Sequence, residues 1–248
     1  LSDADLRALY RSARPYGGAV HFTGCMPRRQ ASLKKRLAAL ALPNAEIQAV
    51  DDGVALVRRG PLPGAADWTH LYGDGANTAC SADERVRAPL GLLWFGGNSH
   101  HDVLPRHGHG PSELVAGGRL FVQGTDSVSA RDVYTGTVLW KREFDTLGTF
   151  GIYYDDSYNP DPLDTSYNQK HIAGANARGS NMVCTADALY LARGDECLVL
   201  DAADGATGAV LGLPDTPTDA DEQRQWAYLG LCEDLLIAGL GFSNFKKD

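Results

Sequence analysis

Apolar residues recur at two spacings along the chain, and the change falls near residue 60. Before it the spacing is helical. Ser2 can cap a helix, Asp5 stands at the third helical position, and Leu6, Leu9 and Tyr10 follow on one face, which predicts a helix through Arg14. Arg14-Pro15-Tyr16-Gly17-Gly18 breaks it, and Ala19-Val20-His21-Phe22 reads as a short strand. Leu33, Leu37 and Leu40 form the next stripe, with Lys34, Lys35 and Arg36 set mainly outside it, so a second helix is expected from Ala31 to Ala41. Pro43-Asn44 ends that helix. Ala45 to Val50 and Val54 to Val57 then read as a hairpin joined by Asp51-Asp52-Gly53, where the Asp-Gly pair is expected to supply a positive φ.

From Pro61 onward short β-branched and aromatic runs are punctuated by Gly, Pro, Asp and Asn, and the pattern becomes all-β. Two features repeat in phase. Leu120-Phe121-Val122, Leu189-Tyr190-Leu191 and Leu235-Leu236-Ile237 each follow a turn, the last two 46 residues apart, which is the period of a propeller blade. Asp132 and Asp201 open similar turns 69 residues apart, the same offset as Leu120 and Leu189. The excess over one blade predicts an insertion, placed at Thr149 to Ala175.

Ala130-Arg131-Asp132-Val133-Tyr134-Thr135-Gly136-Thr137-Val138-Leu139-Trp140 resembles the PQQ repeat, A-x-D-x-x-T-G-x-x-x-W, of quinoprotein dehydrogenases and of outer-membrane assembly propellers similar to BamB. In this hairpin Asp132 is expected to accept backbone N–H groups with Thr135 beside it, Gly136 to supply the unusual φ, and Trp140 to fill the wedge between blades. The second copy keeps Asp201 and Gly205 but has Asp204 for Thr and Ala209 for Trp. Asp67-Trp68 followed by Asp74, Asn77, Thr78 and Ser81 resembles the segment that opens such propellers, with Leu92-Leu93-Trp94 expected as the next core strand. Trp68, Trp94, Trp140 and Trp226 read as packing anchors. The resemblance implies a mainly β chain: a partial β-propeller of PQQ-like repeats at 61–248, preceded by a short α/β segment at 1–60. Two blades and the start of a third are fewer than the roughly four to eight of a closed propeller, so a longer parent protein is expected. The order of elements in 1–60 resembles the C-terminal end of a class I SAM-dependent methyltransferase domain, whose methyl-donor turn lies upstream of such a tail.

Composition narrows the partners. Net charge is -8, which disfavours nucleic acid and anionic lipid, and no apolar run reaches membrane-spanning length. Five cysteines without a CxxC spacing give no zinc-ribbon or thioredoxin pattern and read as free buried thiols, with one disulfide left open.

The densest cluster of metal-ligating residue types is His100, His101, Asp102, His107 and His109, where His107-x-His109 on extended backbone would point both rings one way. Its Pro and Gly content reads rather as a polar loop lining the propeller's end or channel, with metal binding as the alternative. The repeat resemblance implies PQQ with calcium as a cofactor, held in that family by carboxylate and amide ligands with an Asp base and often adjacent cysteines. Adjacent cysteines are absent, and Asp155, Asp156, Asn159, Asp161 and Asp164 match no ligand motif and read as a solvated insertion. Gly73-x-Gly75 and Gly205-x-x-Gly208 read as turns rather than phosphate loops, and no G-x-S-x-G elbow occurs. No complete catalytic constellation is visible. The expectation is a noncatalytic module binding a protein or small molecule at a propeller face, extracytoplasmic by analogy, with part of a quinoprotein oxidoreductase, or a metal module at the histidine loop, as alternatives.

Overall fold

The computed structural model describes residues 1–97, 102–103, 112–124, 126–145, 147, 181–214 and 224–242. The chain divides into two compact units, one of residues 1–65 with 83–87, the other of 66–82 with 88–248.

In the first unit the order is α1 (Asp3–Ser12), β1 (Ala19–Phe22), α2 (Pro27–Ala39), β2 (Ala45–Val50) and β3 (Gly53–Arg58). Ser2 and Asp5 close a capping box, the serine hydroxyl accepting from Asp5 N–H at 3.1 Å and the carboxylate from Ser2 N–H at 2.6 Å. The helix ends before Arg14 because Ala13 is already extended and Pro15 disfavours helical backbone at its predecessor. The second helix starts earlier than the leucine stripe indicates. Pro27 takes its first turn, where a missing N–H costs nothing, but that turn is polar and leaves no apolar signature. β3 lies between β1 and β2, antiparallel to both. Its Val54 and Leu56 meet Leu6 and Tyr10 of α1, and Leu37 and Leu40 of the α2 region, in one core. Arg58 donates to the carbonyls of Ala13 at 3.1 Å and Arg11 at 3.3 Å, satisfying groups left open at the end of α1. The hairpin forms where expected, but Gly53 is outside the left-handed region and so are the two aspartates. Glycine is needed there for close approach: a β-carbon would overlap the carbonyl of Phe22 on the neighbouring strand.

The second unit is built from antiparallel meanders. The strands β4 (Leu114–Ala116), β5 (Arg119–Gln123), β6 (Ser127–Asp132) and β7 (Val138–Glu143) form one four-stranded sheet in sequence order. The strands β8 (Met182–Cys184), β9 (Ala188–Arg193), β10 (Glu196–Asp201) and β11 (Thr207–Gly212) form a second sheet of the same design. Beyond it β12 (Arg224–Cys232) and β13 (Leu235–Phe242) pair as a hairpin. Leu114, Phe121, Val128, Ala130 and Trp140 of the first sheet pack on Met182, Leu189, Leu191, Leu198 and Leu200 of the second. The opposite face of the second sheet, with Val183, Tyr190, Ala192 and Cys197, packs on Trp226, Leu229, Leu231 and Leu236 of the hairpin. Covered on both sides, β10 carries the unbroken apolar run Cys197-Leu198-Val199-Leu200. β11, which has Ala209 where β7 has Trp140, is exposed along its length among the described residues.

Two expectations need correction. Leu92-Leu93-Trp94 is not a strand: Leu92 and Leu93 are exposed and only Trp94 is half-buried. The third repeat is out of register by one residue. Leu120, Leu189 and Leu235 do lie on the second strand of their sheets, but Leu236 packs into the core while Leu235 is 64% exposed. The β12–β13 turn holds two residues between paired Cys232 and Leu235, and four lie between paired Cys184 and Leu189, so counting along the chain misplaces the face.

Candidate functional site

Matching the two sheets position by position isolates an anomaly. In the second sheet Leu198 pairs with Leu191 and Leu200 with Leu189, and all four are buried against the first sheet. In the first sheet the corresponding pairs are Ser129 with Val122 and Arg131 with Leu120. Polar side chains thus stand where the repeat places leucines. Both are 3% exposed, and among the described residues Ser129 Oγ and Arg131 Nε and Nη1 have no hydrogen-bond partner. Lys141 pairs with Ser129 across β6 and β7. Its ammonium meets Asp102 at 2.7 Å and Glu143 at 3.2 Å, and these hydrogen-bonded carboxylates raise its pKa. Gly97 lies along the same surface, where a β-carbon would come within 3.7 Å of Arg131 Nη1.

A second constellation lies on the first strands of the sheets. Trp68 pairs with Val115 of β4, and the Thr69 carbonyl accepts the Cys184 N–H of β8 at 3.1 Å. His70 Nε2 accepts the Leu231 N–H of β12 at 2.9 Å, and its Nδ1 lies 2.7 Å from Thr69 Oγ1. One short segment therefore ties three sheets. His70 is buried, which pulls its pKa below the usual imidazole value, while the carboxylate of Asp74 acts the other way. Asp74 itself accepts from Ala76 N–H at 3.0 Å, Thr78 N–H at 3.1 Å and the Thr78 hydroxyl at 2.6 Å, and the threonine bonds lead in holding its carboxyl low.

The repeat residues occupy the turns between third and fourth strands. Asp132 accepts from Tyr134 N–H at 2.9 Å and Thr135 N–H at 3.0 Å, and Asp201 from Ala203 N–H at 2.7 Å. Gly136 and Gly205 follow at φ 72° and 74°. Each glycine carries an indole from outside its own sheet. Trp94 covers Gly136 so closely that a β-carbon would overlap the ring, and its indole N–H donates to Val133 O at 2.9 Å. Trp140 of the first sheet covers Gly205 of the second in the same way and donates to Ala202 O at 3.0 Å. Arg142 adds a bond to Gly205 O at 2.9 Å. Two four-stranded meanders, stacked face to face and locked by Trp140 of the first on the turn Gly205 of the second, define the architecture.

These sheets are built as propeller blades are, as four-stranded antiparallel meanders stacked face to face. No family model matches the chain, and no curated protein matches it. Solved structures do. The quinohemoprotein alcohol dehydrogenase from Comamonas testosteroni is 18% identical with a TM-score of 0.44, the match covering 71% of this chain and 23% of that one. A europium-containing methanol dehydrogenase is 16% identical with a TM-score of 0.46, covering 73% of this chain and 28% of that one. BamB from Moraxella catarrhalis is 14% identical with a TM-score of 0.31, covering 52% and 33%. The chain thus spans a third or less of the length of each of these proteins.

Of the histidine-loop candidates, His100, His101, His107 and His109 lie outside the described residues, as do the Thr149 to Ala175 insertion and its Asp155, Asp156, Asn159, Asp161 and Asp164. Asp102 is described, and it pairs with Lys141 of the first blade. Among the described residues no three His, Cys, Asp or Glu side chains converge. All five cysteines are free. Cys184 and Cys197 are buried between blades, where desolvation pushes the Cys184 thiol far up and the Cys197 thiol up to about 11, so both stay protonated and poorly nucleophilic. Among the described residues no helix is long and apolar enough to cross a membrane.

The turn aspartates, glycines and Trp140 were readable from the repeat. Ser129, Arg131 and His70 were not singled out. The first two have a sequence signal, because setting Asp132 against Asp201 places Arg131 at the position of Leu200 and Ser129 at that of Leu198.

Proposed function

We propose that this chain is a noncatalytic binding module made of PQQ-like propeller blades, belonging to a longer extracytoplasmic protein in which residues 1–60 are a methyltransferase-like tail. The observation that carries this reading is where the repeat's polar groups go. Asp132 and Asp201 bond their own turns, and the Trp140 indole N–H bonds the next blade. These groups build the scaffold and leave recognition to the surfaces and edges that the blades present, to a protein or a small molecule. The test adds PQQ and calcium to the folded protein and follows quinone absorbance and dye reduction with alcohols and sugars. The module reading expects no spectral change and no turnover. Alcohol-dependent dye reduction would assign the chain instead to an oxidoreductase.

A further inference from the structure

We infer that the first blade contains a buried anion-binding site, centred on Arg131 and Ser129, that takes a small oxyanion: a carboxylate or phosphate group. This deepens the binding-module reading by giving the ligand its chemistry, and it rests on that reading.

The argument starts from the repeat. Identical strand positions in the next blade are Leu198 and Leu200, which bury smoothly against a neighbouring sheet. Replacing such a pair with serine and arginine places a permanent positive charge and a hydroxyl at buried positions. A buried guanidinium without a counter-charge is strongly unfavourable, because water no longer screens it and its donors stay unmet. Arg131 Nε and Nη1 and Ser129 Oγ are among the buried side-chain atoms left unmet among the described residues. The adjacent carboxylates do not relieve it, since Asp102 and Glu143 both converge on Lys141. A negatively charged acceptor is the one class of group that neutralises Arg131 and also receives the guanidinium N–H bonds. An oxyanion has further oxygens to accept from the serine hydroxyl, and arginine is suited to both carboxylate and phosphate. With a net charge of -8 the protein repels extended polyanions, so the ligand is a small molecule carrying one such group, not a nucleic acid.

The experiment measures the melting temperature of the purified full chain while sodium phosphate or sodium acetate replaces sodium chloride at constant ionic strength. A specific site gives a rise of several degrees that grows with the logarithm of anion concentration once the anion exceeds its dissociation constant. Arg131→Met is expected to abolish that rise and Ser129→Ala to shift its onset to higher anion concentration. A response to phosphate alone identifies a phosphate-bearing ligand, and a response to acetate alone a carboxylate. If Arg131→Met does not fold, the onset shift in Ser129→Ala carries the test, and an unshifted onset counts against the site. Absence of a logarithmic rise with either anion, or an equal rise in Arg131→Met, would overturn the proposal. The quinone assay addresses catalysis and this titration addresses recognition, so the two readings fail separately.

Discussion

His70 shows how one side chain can make the propeller sensitive to pH. Its Nε2 is an acceptor for the Leu231 N–H, a role only the unprotonated nitrogen can fill, so protonation would set two donors against each other. Burial already holds the folded-state pKa below the unfolded value of about 6.5. The folded protein therefore binds this proton less readily than the unfolded chain. The stability His70 supports is fully present above the unfolded pKa and is lost as pH falls below it, the loss ceasing only below the folded pKa. Urea denaturation across that window should show the wild type losing stability toward acid, with His70→Leu losing less over the same range. Parallel curves for the two proteins would remove His70 as the source. Single residues also mark what the sequence made legible. Asp132, Gly136 and Trp140 are legible because a turn that needs a carboxylate acceptor, a left-handed glycine and a bulky indole leaves a local pattern. His70 left none, because its partner Leu231 lies far along the chain and the bond is to a backbone N–H with no residue signature.

At the scale of strands and hairpins, patterning located most elements and failed where a face had to be chosen. The first-unit hairpin and the repeated meanders were visible as alternating or continuous apolar runs bounded by turns. The start of α2 was hidden by its polar first turn, and Leu92-Leu93-Trp94 looked like a strand by hydrophobicity although only the indole is used. Leu235 was given the role that belongs to Leu236, since hairpins of unequal turn length break a count based on sequence offset. This correction has a measurable consequence. Leu200 is fully buried between two blades, and Leu200→Ala should cost about 2–5 kcal/mol of stability, the range for a buried leucine that leaves a cavity. Leu235→Ala, at an exposed site, should stay within about 0.5 kcal/mol of wild type. Chemical denaturation of both variants checks this, and equal losses would restore the original register.

For the whole second unit, the arrangement explains why the middle blade is the most apolar. The β8–β11 sheet is covered on one face by the first blade and on the other by the β12–β13 hairpin, so its strands need hydrophobic residues at every covered position. The first blade instead carries the buried polar side chains Ser129 and Arg131 on the face turned away from that core, an asymmetry between the repeats. Function is the least legible level because a propeller repeat specifies how blades hold together, and a binding site shows itself only as a departure from the repeat. All of this depends on the blades being stacked through tryptophan on glycine. Proton NMR of the deuterated protein with protonated Trp and Gly reads that contact directly. The stacked arrangement expects nuclear Overhauser effects from the Trp140 ring to the Gly205 α-protons and from the Trp94 ring to those of Gly136, with both glycines shifted upfield by the indole. Contacts of Trp140 with Gly136 of its own sheet, and none with Gly205, would contradict it.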